Sequence, residues 1–223
     1  MKQFLMRCSS LHAVMSDPKL KADKDAGKLS EGAKTEIHAM VRRYLYDYDQ
    51  PELGNKEIRK GREMETGAIR LLSNLSGEFY QKNETRITND YLTGEADIVH
   101  DDHGRDTKCP WSIEQFPMVK SHALQMAVKA GYEWQCRGYM HLYDKPRWAV
   151  DYCLMETPSE LIPPWELESD IHGIPLMLPI EHRVTTVWFE RDLELEAKIV
   201  QKCKAAQAYA QELIEAWKLE KQA

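Results

Sequence analysis

Gly94-Glu95-Ala96-Asp97-Ile98-Val99-His100-Asp101-Asp102-His103-Gly104-Arg105-Asp106-Thr107-Lys108-Cys109-Pro110-Trp111 is the segment on which the architecture of this chain turns. β-Branched and apolar residues run from Leu92 to His100, Asp101-Asp102-His103-Gly104 is turn chemistry, and Arg105 to Cys109 can pair back as a second strand. With the loop at 101–104, the expected register pairs His100 with Arg105. Asp97 then falls opposite Lys108, and the period of two puts Asp106 on the same face. Two carboxylates and one lysine converge.

Such a cluster has a chemical use. Two acidic oxygens and the Thr107 carbonyl between them make a hard-oxygen site suited to Mg²⁺ or Mn²⁺, and a lysine beside that metal can orient and help deprotonate a water. An Asp on one strand with Asp/Glu-x-Lys on the next resembles the PD-(D/E)xK nuclease signature, here Glu95-Ala96-Asp97 and Asp106-Thr107-Lys108. The competing reading of these residues is a solvated surface hairpin, so the rest of the chain has to discriminate.

At 223 residues, 43% hydrophobic and 30% charged, the chain can bury one sizeable core, and residues 1–223 are read as one domain. No apolar run approaches a membrane span and no secretory leader is recognisable, so a cytoplasmic protein without membrane contact is expected. Cys8, Cys109, Cys136, Cys153 and Cys203 form no C-x-x-C pair, which argues against a zinc or iron–sulfur site and against a disulfide framework. The formal net charge of -6 counts against a nucleic-acid protein, although a nuclease can concentrate Lys and Arg along one groove and carry its acidic excess elsewhere.

Toward the N-terminus, Arg7-Cys8-Ser9-Ser10 precedes Leu11, Val14 and Met15 at helical spacing. A serine there either caps a short helix or, with Arg7 and the first free amides, holds a phosphate. Asp17 to Lys28 is polar and reads as a mobile loop. A helix from about Leu29 to Asp47 follows, with Ile37, Met40, Val41, Tyr44 and Leu45 on one face and Arg42 and Arg43 off it. Asp49 to Asn55 breaks the chain, and a second helix spans about Lys56 to Leu75, with a buried stripe of Met64, Ala68, Leu71, Leu72 and Leu75. On that helix Glu63 lies with Gly67 and Arg70 on the polar side, whereas Glu65 borders Ile69 and Leu72, which makes Glu65 the better ligand candidate.

Downstream, Asn83 to Leu92 reads as a strand leading into the hairpin, Met118 to Ala130 and Tyr132 to Tyr143 as helices, and Arg147 to Glu156 as a strand with one solvated face. Pro158 to Pro179 shows no periodicity, and His172 and His182 within and beyond it suggest no role. Arg183 to Phe189 reads as a strand, and Asp192 to about Lys221 as a long helix whose Val200, Cys203, Ala210, Leu213 and Trp217 pack on the body or on a neighbouring subunit. His100, Asp101, Asp102 and His103 look like a metal cluster by composition, but turn chemistry accounts for them, since neighbours in a tight turn are expected to point apart.

The order of these pieces resembles the phage lambda-type exonuclease family, also called YqaJ-like viral recombinases, of the PD-(D/E)xK superfamily. The likeness rests on Lys60-Gly61-Arg62-Glu63-Met64-Glu65, Gly94-Glu95-Ala96-Asp97, Asp106-Thr107-Lys108-Cys109-Pro110-Trp111 and Gln135-Cys136-Arg137-Gly138-Tyr139. It implies a restriction-endonuclease-like α/β core: a mixed central sheet flanked by helices, with a long C-terminal helix. It implies metal carboxylates at Glu65, Asp97 and Asp106, with Lys108 as catalytic lysine and Gln135 steadying the site. Arg7, Ser9, Ser10 and Tyr139 are then the residues expected to face DNA or its terminal phosphate. The chain departs from the family at Glu95-Ala96, where Thr-Pro or Ser-Pro is usual, at Asp106, where Glu is commoner, and at Glu114, where some members carry arginine.

The resulting expectation is a Mg²⁺- or Mn²⁺-dependent exonuclease of linear duplex DNA in a bacterial host. The resemblance adds 5′-to-3′ polarity, a 3′ single-stranded product for phage-type recombination, a trimeric ring and a single-strand annealing partner. An endonuclease or repair nuclease with the same metal site, and a non-catalytic DNA-binding module, are the alternatives.

Overall fold

The computed structural model describes residues 4–48, 54–167 and 170–222, and its strands form two mixed sheets that part at the quoted segment. Strands β1 (Met6–Arg7), β2 (Ile87–Thr88) and β3 (Leu92–Gly94) form the first in the order β1-β3-β2, with β1 parallel and β2 antiparallel to β3. The second holds β4 (Ile98–Val99), β5 (Gly104–Lys108), β6 (Arg147–Cys153) and β7 (Val184–Glu190) in sequential order. Within it, β5 and β6 are parallel and the flanking pairs antiparallel.

The helices are α1 (Leu11–Met15), α2 (Lys21–Asp25), α3 (Glu31–Tyr46), α4 (Lys56–Ser76), α5 (Lys120–Lys129), α6 (Tyr132–Tyr143) and α7 (Leu193–Gln222). Local chemistry sets their ends. Ser30 accepts the Ala33 amide at 3.0 Å to start α3, and Asn55 accepts that of Ile58 at 3.0 Å to start α4. Gly77, at φ 74°, closes α4 in the left-handed conformation. The break expected from Asp49 lies mostly outside the described residues.

Burial follows the helical period. α3 buries Ala33, Ile37 and Val41, and α7 packs on it through a stripe of Ile199, Cys203, Ala206, Ala210 and Ile214. Truncating Ile37, which is fully buried, to alanine should cost about 2–5 kcal/mol. The α7 stripe lies one residue away from the expected Val200 and Leu213, and Tyr44 and Leu75 stay largely exposed. β6 is covered on both faces: Trp148, Val150, Tyr152 and Leu154 join the cluster built on α6, α3 and α7, while Cys153 joins the one under α4. The expected solvated face is therefore absent. The alternation in this strand separates two buried layers.

Four other expectations are corrected. Residues 83–92 do not form one strand, because the Asn89 side chain accepts the amides of Tyr91 and Leu92 at 2.9 and 2.8 Å and folds a turn between β2 and β3. The strand expected from Leu92 to His100 is broken at Glu95–Asp97, dividing the sheets. Arg105 pairs with Ile98 instead of His100, a slip of two residues that keeps every side chain on its expected face. The 17–28 segment contains α2, tied by Lys24–Asp17 and Lys28–Asp23 ion pairs at 2.7 Å each. Among the described residues no helix is long and apolar enough to cross a membrane.

Candidate active site

Asp97 occupies the step between the two sheets, and that step is held from three sides. Tyr139 donates its hydroxyl to the Glu95 carbonyl at 3.0 Å, Asn83 donates its side-chain amide to the Ala96 carbonyl at 2.9 Å, and the Asn83 backbone amide donates to the Asp97 carbonyl at 2.8 Å. Gly94 is required here, since a Cβ would lie 2.6 Å from the Tyr139 ring. With its backbone out of the ladder, Asp97 turns one carboxylate oxygen onto β5, where it accepts the Thr107 amide at 2.7 Å and the Thr107 hydroxyl at 2.8 Å. A strand residue presents its amide and carbonyl to the same edge, so the Thr107 carbonyl also faces the Asp97 side.

Asp106, next along β5, is buried against α6. Its Oδ1 accepts the Gln135 side-chain amide at 2.9 Å, and its buried Oδ2 takes the Lys108 ammonium as its partner. Burial pushes the Asp106 carboxyl upward, the Lys108 charge opposes this, and Asp97 adds to it. For Lys108 burial works against the charge, yet Asp106 and Asp97 outweigh it and keep the ammonium protonated. The ammonium also lies 4.3 Å from the centre of the Tyr132 ring. The slipped register thus brings Asp97 to Thr107 instead of opposing it to Lys108, while Lys108 pairs with Asp106 two residues back on the same face of β5.

From α4, Glu65 reaches the same cleft and pairs with Lys82 at 3.2 Å; burial and then the Asp97 charge raise its carboxyl. Glu63 is exposed and does not line the cleft. The cleft is open, about 700 Å³ in volume, and Arg7, Ser9, Arg62 and Arg86 contribute to its wall. Cations and carboxylates therefore share one wall, as binding a metal next to a phosphodiester requires. Ser10 lines a neighbouring cleft instead and, although it holds the position before α1, makes no cap bond. Tyr139 also lines the cleft, and its hydroxyl, donated to the Glu95 carbonyl, positions the Asp97 step. Burial pushes the Cys109 thiol up to about 12, which disfavours a thiolate nucleophile.

Two supports went unread in the sequence. Lys60, fully buried in α4, donates to the carbonyls of Trp111 at 2.9 Å and Met155 at 2.8 Å, and burial drives its ammonium down to about 8. Its place in Lys60-Gly61-Arg62-Glu63-Met64-Glu65, on the apolar side of the helix, was the available signal. The second support comes from the Pro-rich segment, a series of 3₁₀ turns. There Glu166 accepts from Lys56, the Trp111 indole and His172, each at 2.9 Å, and His172 also contacts the Thr157 hydroxyl at 2.9 Å. No periodicity announces such a contact set. Together these groups hold the Lys108–Trp111 segment from behind.

No family model matches the chain, and no curated protein matches it by sequence. Among solved structures it is similar to a phage related exonuclease from Haemophilus somnus 129PT, with 38% identity over 97% of both chains and a TM-score of 0.90. It also shares its fold with the alkaline exonuclease LHK-Exo of Laribacter hongkongensis, at 16% identity over 97% of this chain and 92% of that one, with a TM-score of 0.66. The same enzyme in complex with dAMP matches at 17% identity over 98% and 95% of the chains, again with a TM-score of 0.66. Identity at the first of these levels, across nearly the whole of both chains, together with the shared nuclease fold, means that this chain belongs to the family of phage-related, lambda-type exonucleases.

Proposed function

We propose that this nuclease is a Mg²⁺-dependent exonuclease that degrades one strand of linear duplex DNA from its 5′ end. The observation that carries the reading is the convergence of Glu65, Asp97, Asp106 and Lys108 on one cleft, where the buried Asp106 carboxylate meets the Lys108 ammonium. That donor set suits a hard divalent cation, Mg²⁺ or Mn²⁺, held by Asp97, Asp106, Glu65 and the Thr107 carbonyl. When bound, the cation supplies Lewis-acid stabilisation of the charge that builds on the phosphate and its leaving oxygen.

The chain's own residues do the remainder. Lys108 orients the attacking water and Gln135 keeps Asp106 in one rotamer. Thr107 fixes the Asp97 carboxylate, and Arg7 and Ser9 receive the terminal 5′ phosphate at the cleft wall. The dAMP complex of the Laribacter enzyme supports a nucleoside monophosphate as the released unit. The 3′ single strand left behind would feed phage-type recombination in the cytoplasm of a bacterial host, through a single-strand annealing protein, and a trimeric ring would keep the enzyme on its duplex.

The test is digestion of linear duplex with 5′-phosphate or 5′-hydroxyl ends, beside closed-circular duplex, with and without Mg²⁺. Metal-dependent release of mononucleotides from linear DNA alone is expected. Cleavage of the circle would instead favour an endonuclease, and binding without cleavage a non-catalytic module.

A further inference from the structure

At the far end of β5, about 13 Å of extended chain from Lys108 at ~3.3 Å per residue, the β4–β5 turn gathers a second set of ligand-type side chains. The turn closes through the His100 amide and the His103 carbonyl at 2.9 Å, yet the two imidazoles do not point apart: their ring centres lie 4.8 Å from one another. Glu78, just past the end of α4, joins them, and one ligand atom from each of Glu78, His100 and His103 falls within 4.8 Å of the others.

We propose that Glu78, His100 and His103 bind one transition-metal ion of the Zn²⁺ type, with a fourth position open to water, and that this ion clips the turn to the end of α4. Two nitrogens and one oxygen suit Zn²⁺, Co²⁺ or Ni²⁺ and disfavour Mg²⁺, which takes oxygen ligands. The orientation of His103 is the second argument. Its Nδ1 donates to Asp102 at 2.6 Å, leaving the Nε2 lone pair to face the cluster, where it now accepts a long contact from Arg105 Nε at 3.3 Å. A carboxylate behind an imidazole, fixing its tautomer, is the usual second layer of a metal-binding histidine.

A metal would have to displace the long Arg105 Nε contact from His103 Nε2, but the arginine's charge does not oppose it. Arg105 is committed to buried Asp151 by two bonds of 2.8 Å, so its charge is matched before any metal arrives. Donor atoms around tetrahedral Zn²⁺ sit roughly 3.3 Å apart for bonds of ~2.0 Å, so the cluster has to contract. Exposed Glu78, whose carboxylate accepts the Tyr80 hydroxyl and would have to share or release it, and half-buried His100 are the ligands that move, while buried His103 serves as the fixed one. The proposal is independent of the nuclease reading, because its ligands and its metal class both differ from those of the cleft.

The test is calorimetric titration of the full chain, free of any histidine tag, with Zn²⁺ in excess Mg²⁺, using wild type and Asp97→Asn. One equivalent is expected in both, with Co²⁺ giving a visible absorption band at the same stoichiometry. Asp102→Asn should weaken Zn²⁺ roughly ten- to hundredfold, and His100→Gln or Glu78→Gln should weaken it at least as much. Since replacing buried His103 risks the fold, those two more exposed ligands carry the test. Unaltered Zn²⁺ affinity in His100→Gln, loss of the site in Asp97→Asn alone, or no binding by wild type would overturn the proposal.

Discussion

Thr107 donates twice to a single oxygen of Asp97, from its amide at 2.7 Å and from its hydroxyl at 2.8 Å. The carboxylate is thereby set in one orientation, which in the proposed reading would hold it ready for a cation. Asp97→Asn should abolish Mg²⁺-dependent digestion with an unchanged circular-dichroism spectrum. Thr107→Val loses the hydroxyl bond and keeps the amide, so about 0.5–1.5 kcal/mol of stability should go, with a rate loss of roughly tenfold or less. Thermal unfolding and initial digestion rates check both, and a Thr107→Val chain as inactive as Asp97→Asn would count against the amide as the main anchor.

The Gln135–Asp106 bond makes a pH prediction. Burial raises the Asp106 carboxyl; if cleavage needs its carboxylate, as proposed, activity should fall with falling pH at a higher point than an exposed aspartate would set. Gln135→Leu removes a donor that favours the charged form, which raises the carboxyl further and moves the acidic limb of the pH–rate profile upward. An acidic limb that stays in place would show that Gln135 does not govern this protonation.

Glu65 and Glu63 lie on the same helix, but only Glu65 lines the cleft. Glu65→Gln should lose digestion to the same degree as Asp97→Asn, and Glu63→Gln should keep near wild-type rates. Comparing the two at saturating Mg²⁺ separates a ligand from a surface charge, and the reverse ranking would overturn the assignment.

For Lys60→Met, the Trp111 carbonyl keeps the Thr157 hydroxyl at 3.0 Å as a partner, while the Met155 carbonyl loses its Lys60 donor. One orphaned acceptor costs about 1–3 kcal/mol. The ammonium has a folded value near 8, below its ordinary 10.5, so the unfolded chain holds more protons between those values. The stabilising contribution is accordingly lost as pH falls through about 8 and fully present above 10.5. The stability gap between wild type and Lys60→Met should widen from pH 8 to pH 10, and a constant gap in thermal melts would contradict the assignment.

Arg7 stands at the cleft wall with Ser9. If the two receive the terminal phosphate, Arg7→Ala should slow digestion of 5′-phosphorylated duplex by roughly ten- to hundredfold, the equivalent of about 1.5–3 kcal/mol. The 5′-hydroxyl substrate should be little affected. The ratio of the two rates, at fixed salt, is the measurement, and an unchanged ratio would leave Ser9 without a phosphate role.

The helices apart from α2, and the residues that gather at the site, could be read in advance because both depend on short-range pattern. Ile37 and Val41 repeat at the helical period, and Asp97, Asp106 and Lys108 keep one face whichever even register the hairpin takes. The register itself could not, since a loop at 100–103 and one at 101–104 share Asp101, Asp102 and His103 and keep the same hydrophobic alternation, while Gly104, which favours the second, sits in β5 because Trp148 leaves no room there for a Cβ. The alternation in β6 likewise does not reveal that a second buried layer waits on its other face. Glu166 and His172 were invisible for a third reason: their contacts to Lys56, Trp111 and Thr157 bridge long separations through a segment with no repeating geometry.

Glu166 meets Lys56 at the start of α4, Trp111 just past β5 and His172 within its own segment, all through one carboxylate. A group shared in this way ties together the histories of three stretches of chain. Replacing the indole of Trp111 by a ring without an N–H leaves Glu166 one donor short, and shortening Glu166 leaves Lys56 and His172 without their acceptor. Among descendants of this protein the four positions should drift as a set, so the Pro-rich segment, however variable its intervening residues, should retain an acid wherever tryptophan follows the Lys-Cys-Pro string.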